Sequence, residues 1–184
     1  MKEYEFELKY ALPDKDTDLE ECAATLYSNG CDDALVGIGK AGKIALRFTR
    51  EAESAIEAVK SAMLDVKKCL PRAKLIESGP DLVGLTDIAD VMGCSRQNVR
   101  KLMMTHFSEF PLPHHDGGQM QMWRLAEVLQ WVRDSRQESP IEDWLMEIAQ
   151  ANMQFNIALR ELPRVDGKLV EELRAVIDRD QAVA

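Results

Sequence analysis

Leu85-Thr86-Asp87-Ile88-Ala89-Asp90-Val91-Met92-Gly93-Cys94-Ser95-Arg96-Gln97-Asn98-Val99-Arg100-Lys101-Leu102 is the stretch on which the fold turns. Thr86 is placed to cap a short helix whose inner face is Ile88, Ala89 and Met92. Ala89 is small enough for a second helix to cross closely. Gly93 falls where the chain must bend sharply with a positive φ, a conformation glycine adopts without steric cost. Ser95 caps the next helix. Val99 and Leu102 then face inward, and Arg96, Gln97, Asn98, Arg100 and Lys101 face outward. This is the pattern of a helix-turn-helix with a polar second helix. Its side chains suit a duplex. Arg and Lys pair with guanine edges or phosphates, and Gln and Asn pair with adenine. Ser95 and the helix N-terminus are suited to hold a phosphate.

Working outward, Phe110-Pro111-Leu112-Pro113 is expected to be extended, because each proline restricts the residue before it. Asp116-Gly117-Gly118 reads as a turn, and Gln119-Met120-Gln121-Met122-Trp123 alternates and returns as a strand. Together they predict a two-stranded wing with His114 and His115 near its tip. Leu125 to Val132 follows as a helix with Val128, Leu129, Trp131 and Val132 available to a core.

Three blocks carry a family resemblance: Leu85-Thr86-x-x-Ala89 with Gly93-x-Ser95-Arg96-x-x-Val99, then Phe110-Pro111-x-Pro113, then Trp123-Arg124-x-x-Glu127-Val128-x-x-Trp131. In order and spacing, residues 82–132 resemble the winged helix-turn-helix domains of excisionase-type phage regulators and MerR-type transcription regulators. The resemblance implies a helix at Ser95–Met103 in the major groove and a wing near the backbone or minor groove. The wing departs from the family pattern, holding His114, His115, Asp116 and Gln119 where Arg or Lys is common. The candidate DNA contacts are Arg96, Gln97 and Asn98 to bases; Ser95, Arg100, Lys101 and Arg124 to phosphates; and Thr86, His114 and His115 around them.

Before this segment, Tyr4, Phe6, Leu8 and Tyr10 alternate with charged residues, the signature of a strand with one buried face. A helix is expected from Asp18, with Leu19, Cys22, Ala23 and Leu26 on one face and Gly30 as its stop. Ala34–Ile38 and Lys43–Phe48 read as a hairpin around Gly39-Lys40-Ala41-Gly42. Glu51 to Lys68 reads as a helix with Ala55, Ile56, Val59, Met63 and Val66 on one face. Ala73 to Glu77 reads as a fourth strand. The order strand, helix, strand, strand, helix, strand is ferredoxin-like. After the segment, Asp134 to Glu138 is a polar linker. Ser139-Pro140-Ile141-Glu142 starts a helix expected to reach Leu162, and Pro163 stops it. Gly167 to Asp178 reads as a last helix. These two helices are expected either to form a dimer interface or to fold back on the chain. The expected class is α+β, divided as 1–79 ferredoxin-like, 82–134 winged helix-turn-helix and 139–184 helical.

The net charge of −9 over 184 residues argues against a binder that works by overall charge. Residues 1–80 are net −3, 81–134 net −2 and 135–184 net −4. Positive charge is local to Arg96, Arg100 and Lys101. The start Met1-Lys2-Glu3-Tyr4-Glu5 lacks the apolar core of a signal peptide, and no stretch approaches the ~20 apolar residues of a membrane span, so a cytoplasmic location is expected. Cys22, Cys31, Cys69 and Cys94 form no C-x-x-C pair and are expected to be reduced thiols. No cofactor or metal is expected, although Cys94, His114 and His115 are one conceivable zinc set. There is no nucleophile elbow, phosphate loop or metal pair, so catalysis is not expected, and the carboxylate pairs Asp14/Asp16 and Asp32/Asp33 are expected to face water in turns. The sequence therefore points to a bacterial or phage transcription regulator that binds double-stranded DNA as a homodimer. Two alternatives stand beside it: a protein-binding adaptor or antitoxin-like partner protein, and a regulator that senses a ligand through its first domain.

Overall fold

The computed structural model describes residues 1–37, 40–118, 120–135, 141–161 and 166–168. It is mixed α and β with two antiparallel sheets. Met1–Met153 form one compact unit and Gln154–Ala184 a second.

The first sheet is built from β1 (Lys2–Ala11), β2 (Ala34–Gly37), β3 (Lys43–Ala52) and β4 (Lys74–Gly79), with α1 (Leu19–Ser28) and α2 (Ala55–Cys69) between them. Its spatial order is β2-β3-β1-β4, every pair antiparallel. The alternation in β1 works as expected. Tyr4, Phe6, Leu8 and Tyr10 are buried together with Ile44, Leu46 and Phe48 of β3, and the rings of Phe6 and Phe48 stack at 5.3 Å. Asp18 caps α1, accepting from the amides of Glu20 at 2.9 Å and Glu21 at 3.1 Å. Gly30 follows with φ +96°, and Gly42 closes the β2–β3 connection with φ +72°. Ile38 and Gly39, expected in that hairpin, lie outside the described residues.

Two expectations in this region need correction. The second helix does not begin at Glu51. β3 continues to Ala52 because β1 supplies a partner that far, Lys2 opposite Ala52, and Ser54 then caps α2. The buried ridge of α2 is Ala55, Ala58, Val59, Ala62 and Val66, while Ile56 is exposed. Alanines suit a helix lying close over a sheet face already filled by Tyr4 and Phe48. Asp33 is not a free turn carboxylate either. Arg50 Nε donates to its Oδ2 at 2.6 Å, and Arg50 Nη1 donates to Asp65 Oδ2 at 3.0 Å and to Ser61 Oγ at 3.1 Å. The guanidinium also lies over the Phe48 ring.

The second sheet has the order β5-β7-β6, from β5 (Leu82–Val83), β6 (His115–Gly117) and β7 (Met120–Arg124). Between β5 and β6 run α3 (Leu85–Val91) and α4 (Arg96–Thr105), and α5 (Leu125–Ser135) follows β7. Their core is centred on Ile88, Val99, Trp123, Leu125, Val128 and Leu129. Its edge is fastened by an ion pair between Asp81 and Arg124, each about 3% exposed. The Asp81 carbonyl also accepts from Leu125 N at 2.7 Å.

α6 (Asp143–Asn156) begins four residues later than the Ser139 start expected, and residues 136–140 lie outside the described set. Within the first unit it folds back on its own chain. Met146 and Ala149 enter the core around Trp123. Lys2 Nζ and the Tyr4 hydroxyl donate to Glu147, and Ser78 Oγ meets Asn152 Oδ1 at 2.6 Å. In the second unit Gln154–Asn156 complete α6, and Ile157–Glu161 form a π-helical turn. Pro163 and most of the expected last helix, 169–178, lie outside the described residues.

These anchors lead to two expected outcomes. Removing one member of the buried pair leaves the other charge desolvated, so Arg124→Met lowers the unfolding free energy by about 3–5 kcal/mol in urea, and Asp81→Val combined with Arg124→Met recovers part of that loss. A double variant no better than the single would show that the pair's charges are not what the site requires. The second outcome concerns pH. Burial, followed by the hydrogen bond to Glu147, raises the Tyr4 hydroxyl from 10.0 to about 12. The resulting stability is complete below pH 10.0 and is lost as pH rises through about 12. Tyr4→Phe should flatten the fall in melting temperature across that window. Glu147 has the opposite sign. Its hydrogen bonds to Lys2 and Tyr4 hold its carboxyl below 4.5, so its contribution is present above pH 4.5 and fades on acidification.

Candidate nucleic-acid interface

The α3–α4 turn is built from backbone geometry. Gly93 has φ +62°. Cys94 N donates to Ala89 O at 2.9 Å, and Gly93 N donates to Asp90 O at 3.2 Å. These two bonds close the C-terminus of α3 in a Schellman arrangement, which requires a left-handed residue at Gly93. Ser95 Oγ then accepts from Asn98 N at 3.2 Å and caps α4, as its position in the sequence suggests. Val99 and Leu102 are buried. Arg96, Gln97, Asn98, Arg100 and Lys101 are exposed along the opposite side. α4 carries three cations and no carboxylate, alone among the described helices in this respect.

The structure relocates some expected participants. Thr86 does not cap α3. Gly84 holds the N-cap position and its amide donates to Asp87 Oδ2 at 2.8 Å, leaving Thr86 exposed in the first turn. Arg124 is not a phosphate anchor. Its guanidinium is buried against Asp81 and cannot reach solvent without breaking that pair. His114 and His115 are exposed, and His115 sits on β6 opposite Met122. The wing is also arranged differently. Phe110–Pro113 is not a strand. Phe110 is buried edge-on against Trp123 at 6.2 Å and Trp131 at 4.9 Å, and Trp123 Nε1 donates to Pro111 O at 3.0 Å. The outer strand is His115–Gly117, so Asp116 and Gly117 are paired residues rather than the turn. Asp116 Oδ1 accepts from Gln121 Nε2 at 3.1 Å. Gln119 lies outside the described residues.

Two features are absent from the sequence reading. Leu82–Val83 pairs with Trp123–Arg124, which makes the second sheet three-stranded. Two residues are too few for a periodic signal, so only the pairing reveals the strand. The second feature is a cleft of about 570 Å³ between α4 and Phe110–Pro113, bordered by Arg96, Arg100, Met103, Met104, Phe107 and Leu112. The run Met103-Met104 with Phe107 is its only trace in the sequence.

The first sheet differs from α4 in its charge pattern. The face opposite its helices carries Glu3, Glu5, Glu7, Glu51 and Glu77 against Lys9, Lys43, Arg47 and Lys74, and Lys9 is paired with Glu77 at 2.8 Å and Glu7 at 3.2 Å. Acids and bases are interspersed there, whereas α4 carries bases alone. All four cysteines are free thiols, Cys22 and Cys31 buried, Cys69 and Cys94 half-buried. Among the described residues no group of three or more His, Cys, Asp or Glu side chains is placed to hold a metal, so Cys94, His114 and His115 are not brought together as one. No described helix is long and apolar enough to cross a membrane. Comparison with known proteins returned no matching family model, no matching curated protein and no matching solved structure.

The turn makes a direct prediction. A side chain at Gly93 meets nothing within 4 Å, so any cost is a backbone cost. Gly93→Val should destabilise the protein by at least about 1–2 kcal/mol, and Gly93→Asn by clearly less. Equal melting temperatures for the two variants would contradict the assigned φ.

Proposed function

We propose that this protein is a sequence-specific double-stranded DNA-binding regulator of transcription, of bacterial or phage type, working as a homodimer. In this reading residues 82–134 are a winged helix-turn-helix unit and residues 1–79 a ferredoxin-like domain beside it. The observation that carries the proposal is α4, a solvent-facing helix with Arg96, Gln97, Asn98, Arg100 and Lys101 outward and no carboxylate, in a chain of net charge −9. That local concentration of donors matches base edges and phosphates in a major groove. Arg96, Gln97 and Asn98 read bases. Ser95, at the helix N-terminus, and Arg100 and Lys101 hold phosphates. Thr86, His114 and His115 flank this set, and Arg124 supports the wing from inside. One such unit makes few contacts, so two copies on paired half-sites supply the affinity.

A second reading, a protein-binding adaptor, draws on the acidity of the chain as a whole, net −9. The two diverge in a selection from random duplexes, where an adaptor enriches no motif. For the regulator, Arg96→Ala with Arg100→Ala lowers affinity for the selected duplex by at least about tenfold at moderate salt, and Lys101→Ala reduces the salt slope by about one. A folded Arg96/Arg100 double variant that binds as tightly as the parent chain would remove this assignment.

A further inference from the structure

The outward side of α4 is not uniformly polar. Met104 is 65% exposed, Phe107 79% and Leu112 83%, and they gather along the cleft that Arg96 and Arg100 also line. Large apolar side chains grouped on a surface mark a place where something apolar is met. Met104 lies seven residues after Gln97, two helical turns on, and four after Arg100, so all three share one ridge. Any occupant of that ridge must offer hydrogen-bonding edges and negative charge at one end and an apolar contact at the other. An apolar groove-binding peptide satisfies only the second demand. A DNA major groove satisfies both, because thymine carries a methyl group on its groove edge among hydrogen-bonding atoms and between phosphates.

We propose that Met104 reads a thymine 5-methyl group, which makes the recognised site an A·T-containing one. This inference rests on the DNA-binding reading above and specifies what that site recognises. Seven residues at ~1.5 Å each separate Gln97 from Met104 by roughly 10.5 Å along the helix, which spans at most about three base-pair steps at ~3.4 Å because a helix in the groove is inclined to the duplex axis. Gln97 is suited to adenine, with two hydrogen bonds to its N6 and N7. The thymine therefore stands within about three base pairs of the adenine that Gln97 holds. Asp116 borders the wing side of the cleft, where Gln121 holds its carboxylate, and Met104 belongs to the opposite wall.

The test uses the full chain and a duplex recovered by selection from random DNA. Each thymine is replaced in turn by uracil, which removes the methyl group and leaves the hydrogen-bonding edge unchanged. Binding should weaken roughly fourfold at one position, the worth of one buried methyl-sized group, and change little elsewhere. That position should lie within about three base pairs of the adenine whose replacement no longer matters in Gln97→Ala. Met104→Ala should bind the thymine and uracil duplexes equally, and Met104→Leu should restore the difference. A duplex that binds but is indifferent to uracil at every position overturns the thymine contact and leaves the DNA-binding reading intact. The contact is overturned in the same way if Met104→Ala keeps the discrimination, or if its DNA affinity is unchanged because the ridge serves a protein partner. A pool from which no duplex is enriched overturns the DNA-binding reading itself, and the thymine contact with it.

Discussion

The buried ion pair between Asp81 and Arg124 is the contact around which the second sheet is organised. Asp81 immediately precedes β5, and Arg124 ends β7 at the point where α5 begins. The same aspartate accepts from the Leu125 amide through its carbonyl, so one residue fastens both a side chain and a helix start. With that joint made, Leu82 and Val83 lie against Arg124 and Trp123, and Trp123 enters the core that also receives α3, α4 and α5. Taking both charges out of water is costly, and the joint is favourable only while both are present.

Within this frame the outward set on α4 depends on a few local constraints. Gly93 supplies the left-handed residue that turns the chain, and Ser95 opens α4 in the new direction. Val99 and Leu102 then fix the helix's rotation by burial, which leaves the cations and amides outside. Phe110, packed against Trp123 and Trp131, holds the following segment in place and shapes the far wall of the cleft.

Charge is distributed so that α4 is an exception. The chain is acidic overall, and the face of the first sheet opposite its helices mixes five glutamates with four bases. At physiological salt, fields from exposed charges fade over about 8 Å, so a short positive helix can attract an anion on an acidic protein.

Much of this was legible in the sequence because it rests on local rules. The period-2 alternation of Tyr4, Phe6, Leu8 and Tyr10 identified β1 and its buried face, and Gly93 with Ser95 identified the turn and the cap, since positive φ and capping depend on one or two residues. The features that needed the tertiary structure depend on distant partners. β3 outlasts its own sequence signal because β1 is there to pair with it. β5 exists only as a partner of β7. Alanines take the place of Ile56 at the α2 interface because the sheet beneath is already full. Arg124, which resembles a surface cation in sequence, is internal because Asp81 lies 43 residues away in the chain and beside it in space. The first part of α6 is committed within the chain because Tyr4, Ser78 and the Trp123 core receive it. By itself the sequence determined which residues form the turn and which side of α4 is polar. Only the tertiary structure decided which charges remain in water, because burial is set by whichever distant segment closes over a residue.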